Sequence, residues 1–287
     1  MSVKAFFLTV VLLLSVCLKV FAGNKSAPLE ILYIANVNAL LENCHCGDPP
    51  LGGLARITTA VKRERQKNPA LILIDGGDFF NSYPFEDLNK TVLKIYTLLN
   101  PDILSVGENE FIDGFSLIEP FLKINHNKIL STNYNIYKIN GKDYIRKSDF
   151  VFLSYLDKKV FLSGGNDFIN FNVTRFKTIY NRYKNRVLVV LYHGYFEDVK
   201  RFVALYPNID LVLCAHSRAG LIDKYGAATI VGSGTDGEYI IKIFIDGAAG
   251  IKIERLPIGL EIKQDATVMK YVDSFKELQK NQRQKEN

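Results

Sequence analysis

Several features that would assign this sequence to a common class are scarce or missing. Only 4 cysteines occur among the 287 residues, and their irregular spacing excludes a scaffold stapled by disulfide bonds. No second long apolar run follows the N-terminal one, so we expect no transmembrane span in the mature chain. The net charge of +6 is not gathered into a basic stripe, so we expect no nucleic acid among the partners.

The N-terminal segment has the composition of a secretory signal peptide. Lys4 precedes an apolar run from Ala5 to Leu18 that is too short to span a bilayer, and small residues follow it. We place cleavage after Ala22, so that residues 1–22 are removed. The mature protein is then exported, into the periplasm if the host is bacterial and otherwise into the medium.

Short apolar runs alternate with helical patterns through the first half of the chain. The predicted buried strands are 29–34, 71–74, 103–106 and 129–131, and the predicted helices are 53–66, 88–99 and 115–124. An antiparallel stretch is expected at 144–162. Strands with helices first and antiparallel strands last predict a layered α/β sandwich. We assign residues 29–260 to this domain and residues 261–287 to a polar C-terminal helix or tail.

Further strands are predicted at 187–191 and 210–215. Polar clusters follow these two strands and those at 29–34, 71–74 and 103–106, at the position where open α/β sheets place their sites. In chain order they are Asn36-Val37-Asn38, Asp75-Gly76-Gly77-Asp78, Gly107-Glu108-Asn109-Glu110, Tyr192-His193-Gly194 and His216-Ser217-Arg218. One polar residue after a strand is usually a turn residue or a helix cap. Five clusters in one chain instead predict a shared site.

The order of these clusters resembles the 5′-nucleotidase branch of the calcineurin-like metallophosphoesterases. That family carries the blocks D-x-H, G-D, G-N-H-E, H and G-H-x-H, and the segment Leu51–Arg56 is similar to its glycine-rich segment. The resemblance implies an α/β/β/α sandwich of the metallophosphoesterase type, with two neighbouring divalent metals. We find no counterpart of the family's C-terminal specificity domain, so recognition of a nucleoside is not carried over.

Carried over by position, the resemblance implies one intact metal site and one lost site. The implied ligands of the intact site are Asp78, Glu108, His193 and His216. They would bind one divalent ion, which is zinc, manganese or iron. At the other site Asn36 and Asn38 are poor ligands, and Arg218 has no lone pair to offer. Arg218 would instead grip the oxygens of a small anionic or phosphorylated ligand.

The family's general-acid histidine falls on Asn109, whose amide cannot shuttle protons as a general acid at neutral pH. Two functions therefore remain open. The first is a metal-dependent phosphoester hydrolase with a reduced, one-metal site. The second is a pseudoenzyme, a non-hydrolytic descendant that serves as a redox or ligand-binding module around Cys44 and Cys46.

Cys44, His45 and Cys46 lie between the first polar cluster and the glycine-rich segment, so we expect them near the same pocket. Three interpretations remain open for this loop. Its cysteines are incidental, or thiolate and imidazole replace lost ligands and favour a softer metal, or the pair is a strained Cys-x-Cys redox site. Cys214 lies in an apolar run and is expected to be a buried small side chain.

Overall fold

Two β-sheets stack face to face in the computed structural model of the chain. The residues described are 28–43, 48–161, 167–246 and 250–286. The strands are β1 (Leu29–Ile34), β2 (Ile72–Asp75), β3 (Ile103–Leu104), β4 (Tyr134–Ile136), β5 (Ile145–Lys147), β6 (Phe150–Leu156), β7 (Ile169–Phe171), β8 (Val187–Gly194), β9 (Leu211–His216), β10 (Ile222–Tyr225), β11 (Ala228–Gly232), β12 (Tyr239–Asp246) and β13 (Gly250–Pro257). The α-helices are α1 (Leu54–Lys67), α2 (Glu86–Leu99), α3 (Phe115–Ile124), α4 (Val173–Tyr183), α5 (Phe196–Leu205) and α6 (Ala266–Glu286).

Each large sheet has a parallel part whose strands end at the same edge of the sandwich. The first sheet has the order β13-β12-β1-β2-β3, in which β1, β2 and β3 are parallel. The second has the order β10-β11-β9-β8-β6-β5, in which β11, β9, β8 and β6 are parallel. The expected antiparallel stretch is only partly present, because β5 and β6 pair antiparallel whereas β6 joins the parallel part beside β8.

Apolar side chains fill three layers, one between the sheets and one on the outer face of each. In β1, Ile31 and Tyr33 face the second sheet, whereas Leu32 and Ile34 face the helices α1, α2, α3 and α6. The strand is therefore apolar at successive positions because both of its faces are buried. Helices α4 and α5 cover the outer face of the second sheet. The predicted α/β/β/α sandwich is confirmed.

Helix α6 packs on the outside of the first helical layer. Its residues Val268 and Val272 are fully buried, and Phe275 meets Phe85 with ring centroids 5.6 Å apart. The rest of its surface is polar, which suits a helix with one narrow apolar stripe against α1 and α2. Within the described part of the chain, neither α6 nor any other helix has the length and apolar character needed to cross a membrane.

Candidate metal centre

Loops that follow the parallel strands enclose a pocket of about 410 Å³ at the edge where those strands end. Its walls are polar and comprise Asn36, Asn38, Asp78, Asn81, Ser82, Glu108, Asn109, His216, Arg218 and Asp236. The backbone is left-handed at Asn36, Asn38 and Asp78, with φ of 52°, 52° and 58°. Asn and Asp tolerate this conformation better than most non-glycine residues, and such strain often collects at functional sites.

Four of the predicted site residues form an acid–imidazole group: Asp78, Glu108, His193 and His216. One ligand atom from each lies within 4.8 Å of all the others. His193 Nε2 lies 3.0 Å from Glu108 Oε2 and 3.5 Å from Asp78 Oδ2. His216 Nδ1 lies 2.7 Å from Glu108 Oε1, yet it is buried and not aligned for a hydrogen bond. His193 Nε2 is hydrogen-bonded to Glu108 Oε2, and the ligand atoms of all four residues converge on a shared centre. Their assignment as metal ligands stays a prediction.

The backbone behind this group fixes its geometry. His193 Nδ1 donates to the Gly76 carbonyl over 3.0 Å, so Nε2 faces the centre. A carbonyl bound to the far nitrogen is the usual support of a metal-ligating imidazole. A Cβ atom at Gly107 would come within 2.3 Å of Asp78 Oδ1 and 2.4 Å of His193 Nε2, so only glycine fits there.

The two carboxylates of the group favour positive charge on the neighbouring imidazoles. Burial lowers the pKa of His193, but Asp78 and Glu108 outweigh it and raise the value to about 10. Burial also lowers the pKa of His216, and the same two carboxylates raise it to about 9. Burial raises the pKa of Glu108, whereas His193 and His216 bring it well below its ordinary value. The two carboxylates thus favour a positive charge at this position, which a divalent ion would also supply.

Glu110 is a buried residue to which sequence reasoning gave no role. Its Oε1 accepts the backbone N–H groups of Phe79 and Phe80 at 2.7 and 3.2 Å. Its Oε2 accepts those of Asp78 and Gly107 at 3.0 and 2.6 Å. Burial and the charge of Asp78 raise the pKa of Glu110 to about 8, and its backbone hydrogen bonds oppose that rise. Glu110 therefore holds together the two loops that carry Asp78 and Glu108. The sequence indicated a role for Glu110 through its position in the same polar cluster as Glu108.

On the opposite side of the pocket, both the oxygen and the nitrogen of the Asn36 amide form hydrogen bonds within the protein. Its Oδ1 accepts the backbone N–H of His216 at 2.7 Å. Its Nδ2 donates to the carbonyls of Ser217 and Gly234 at 3.0 and 2.8 Å, and lies 3.2 Å from Ser233 Oγ. Asn36 is 2% exposed. It ties the end of β1 to the loops after β9 and β11, so its amide is positioned by hydrogen bonds within the protein.

The two other residues of the predicted lost site differ from Asn36. Asn38 Nδ2 donates to Asp236 Oδ1 at 2.8 Å and to Thr235 Oγ1 at 3.2 Å. Arg218 is exposed at the pocket wall. It makes no hydrogen bond or ion pair with any residue in the described ranges, so it is not paired with Asp78. We call Asn36 and Asn38 the amide half of the pocket.

The remaining predicted residues have different fates. Asn109 lines the pocket, and its backbone nitrogen lies 3.4 Å from Asp78 Oδ1. The residue at the position of the family's general-acid histidine is therefore close to the Asp78 carboxylate. Cys44, His45 and Cys46 lie outside the described residues, and their place near the pocket stays a prediction. Cys214 is 1% exposed, and burial raises the pKa of its thiol strongly.

Two facing sheets with an acid–imidazole group at the ends of their parallel strands define a metallophosphoesterase-type domain. A sequence profile of the calcineurin-like phosphoesterases matches residues 44–218, and the chain belongs to that family. Members of the family use divalent metals, and the acid–imidazole group is a candidate for binding one.

The similar proteins of known name include 5′-nucleotidases. A snake venom 5′-nucleotidase of Gloydius brevicauda is 25% identical over 245 residues, which are 76% of this chain and 42% of the venom protein. The 5′-nucleotidase of Rattus norvegicus is 31% identical over 132 residues, 42% of this chain and 23% of the rat protein. The chain therefore spans less than half the length of these relatives. A 5′-nucleotidase precursor from Thermus thermophilus has the same fold, with a TM-score of 0.73 and 16% identity over 87% of this chain and 58% of its own.

Proposed function

We propose that this protein is a metal-dependent phosphoester hydrolase with one divalent ion, which is zinc, manganese or iron. The observation that carries the proposal is the contrast within the pocket. Four ligand atoms of the acid–imidazole group converge within 4.8 Å, while the neutral amide of Asn36 is held by hydrogen bonds inside the protein. Two carboxylates and two imidazoles suit such an ion.

The chain's own residues would bind the anionic part of the substrate beside the ion. When bound, the ion would act as a Lewis acid towards a phosphoryl oxygen. Arg218 places a permanent positive charge at the wall of the same pocket, and no described residue forms an ion pair or hydrogen bond with it. Its planar guanidinium can donate two parallel hydrogen bonds to phosphoryl oxygens. The ligand is thus a small anionic or phosphorylated molecule.

Export is part of the proposal. The signal-peptide composition of residues 1–22 supports it, and one similar protein is a venom 5′-nucleotidase. Mass spectrometry of the protein secreted by its host, or by a heterologous host, should find an N-terminus at Gly23. A mature chain that retains residues 1–22 would contradict export by this route.

The deciding experiment measures metal content and turnover in the same preparation. Mature protein with reduced thiols is reconstituted with zinc, manganese or iron, and bound metal is counted by plasma mass spectrometry. We expect close to one ion per chain and turnover of an aryl phosphate that Asp78→Ala abolishes. Two ions per chain, or none, would contradict the one-metal site. One ion without turnover would favour the second candidate.

That second candidate is a non-hydrolytic redox or ligand-binding protein built around Cys44 and Cys46. The hydrogen-bonded amide of Asn36 favours it, as does the amide of Asn109, because both replace groups on which the family's hydrolysis depends. We expect mild oxidant to remove two thiols per mature chain while the buried Cys214 stays unreactive. Cys44 and Cys46 found as separate free thiols under oxidising conditions would count against the redox function.

A further inference from the structure

A second cavity of about 400 Å³ adjoins the metal pocket. Asn38 and Asn81 line both cavities, so the two are neighbours. The second cavity differs in character, because apolar side chains such as Tyr83 and Phe275 line it beside the ion pair of Glu42 and Lys276. A phosphoryl group bound in the polar pocket would therefore direct its organic substituent towards an apolar space.

Asn81 stands at the junction with a hydrogen-bond donor that the protein does not use. The residue is 7% exposed. Its backbone N–H donates to Asn89 Oδ1 at 3.1 Å, and its own Oδ1 accepts the N–H of Ser82 at 3.1 Å. Because Ser82 supplies a donor, the side-chain oxygen must face it, and the nitrogen is the atom left over.

The Nδ2 atom of Asn81 has no hydrogen-bond partner among the described residues. A buried donor without a partner is unfavourable, and few occur in native proteins. Because the atom is buried, a shift of the Asn81 side chain towards the pocket that it lines would bring this donor to an acceptor on a bound ligand.

Aromatic side chains border the second cavity. Tyr83 is 59% exposed, although its ring is large and mostly apolar. Phe275, on α6, lines the same cavity and is held edge-on by Phe85 at 5.6 Å. A planar ring in this cavity would cover Tyr83 and contact Phe275, and aromatic contacts add to the gain from burial alone.

We propose that the second cavity is a subsite for an aromatic substituent of the phosphoester, and that Asn81 Nδ2 donates to the phosphoryl oxygen at the junction. The proposal rests on the proposed function, because the phosphoryl group is taken to bind in the metal pocket. The ring lies between Tyr83 and Phe275. Recognition of the leaving group is thus supplied by the described chain itself, through α6 and the loop before α2.

The test compares two phosphonates that cannot be hydrolysed as esters. Phenylphosphonate and methylphosphonate are titrated calorimetrically into metal-reconstituted mature protein. We expect phenylphosphonate to bind about tenfold more tightly. Tyr83→Ala or Phe275→Ala should bring this ratio close to one. Tyr137→Ala, which alters a 52% exposed tyrosine outside both cavities, is the matched control and should leave the ratio unchanged.

Asn81→Asp tests the donor separately. The substitution keeps an oxygen for the Ser82 N–H and replaces the unpaired Nδ2 with a second oxygen of a carboxylate. We expect the affinity for both phosphonates to fall at least tenfold, because an acceptor and a negative charge then face the phosphonyl group. Unchanged affinity for both would overturn the role of Asn81.

The outcomes separate this subsite from the proposed function. If methylphosphonate binds and the phenyl group adds nothing, the subsite is wrong and the hydrolase proposal stands. If neither metal nor phosphonate binds, the hydrolase proposal fails, and ligand-observed NMR with benzyl alcohol decides the subsite alone. Binding of benzyl alcohol that Tyr83→Ala removes would retain the aromatic subsite. Absence of that binding would overturn it as well.

Discussion

The two halves of the pocket use their polar side chains in opposite ways. In the acid–imidazole half, backbone groups hold the side chains from behind, as the Gly76 carbonyl holds His193 Nδ1, and Nε2 stays directed at the centre. In the amide half, Asn36 spends both its oxygen and its nitrogen on hydrogen bonds within the protein. The comparison shows that an ion site depends on how the fold directs its polar atoms and on the hydrogen bonds that they form within the protein. Residue type alone does not decide it.

Removing one imidazole should separate the two halves most clearly. We expect His193→Ala to weaken metal binding more than 100-fold, because loss of one of four ligands removes roughly a quarter of the binding free energy, about 3 kcal/mol. Calorimetric titration with zinc measures the effect. His126→Ala is the control, since His126 is an exposed histidine outside the pocket that contacts the Lys123 carbonyl. Equal metal affinity in both variants would contradict the acid–imidazole site.

Glu110 tests the scaffold behind the acid–imidazole half. Glu110→Ala leaves the buried backbone N–H groups of Gly107, Asp78, Phe79 and Phe80 without their acceptor. We expect the free energy of unfolding of the metal-free protein to fall by about 4 kcal/mol, measured by urea denaturation.

The control for that measurement is Glu119→Ala. Among the described residues Glu119 pairs with Lys123 on a helix surface, and such a solvent-screened pair contributes little to stability. If Glu110→Ala cost no more than Glu119→Ala, the four hydrogen bonds would not be what holds the two loops together.

The shared position of the polar clusters was accessible from the sequence for a physical reason. The clusters follow strands that run parallel, and parallel strands end at one edge, so polar residues at strand ends become neighbours. Arg218 belongs to one of these clusters and lies in the pocket wall. The choice of the acid–imidazole group as the ligand set came from the family resemblance. The order of strands and helices along the chain also predicted the sandwich, in which β1 is buried on both faces.

The role of Asn36 was not accessible in the same way. It depends on hydrogen bonds to Ser217 and Gly234, which lie 181 and 198 residues further along the chain. No local pattern encodes such a contact. The direction of β6 was missed for a related reason, because a strand that follows an antiparallel neighbour in sequence can still pair in parallel with a distant strand.

Asn36→Asp should sharpen the comparison by making the amide half resemble the family. The new carboxylate would face the carbonyl oxygens of Ser217 and Gly234, to which Nδ2 now donates. We expect the free energy of unfolding of the metal-free protein to fall by about 2 kcal/mol in chemical denaturation. Asn140→Asp, at an exposed position, is the matched control and should change it by less than about 0.5 kcal/mol.

A further pair of substitutions extends this variant. Adding Asn38→His and Arg218→His to Asn36→Asp supplies imidazoles and removes a fixed cation, so the metal stoichiometry should rise from one towards two. A stoichiometry of two in Asn36→Asp alone would show that Asn38 and Arg218 do not keep the second ion out.

Arg218→Ala should have the smallest effect on the protein and still affect its ligand. Arg218 is exposed and has no partner in the described ranges, so its removal should change the free energy of unfolding by less than about 0.5 kcal/mol. The affinity for inorganic phosphate should fall about fivefold, because an exposed charge contributes only about 1 kcal/mol to an ion pair.

The salt dependence of phosphate binding separates attraction by charge from the specific fork of the guanidinium. Calorimetry at low and high ionic strength should show a weaker salt dependence in Arg218→Ala than in the wild-type protein, because one screened attraction is gone. Arg218→Lys should restore the salt dependence and only part of the affinity, since an ammonium cannot donate two parallel hydrogen bonds. If all three proteins bound phosphate equally at low salt, Arg218 would not belong to the anion site, and the acid–imidazole half alone would account for the pocket's chemistry.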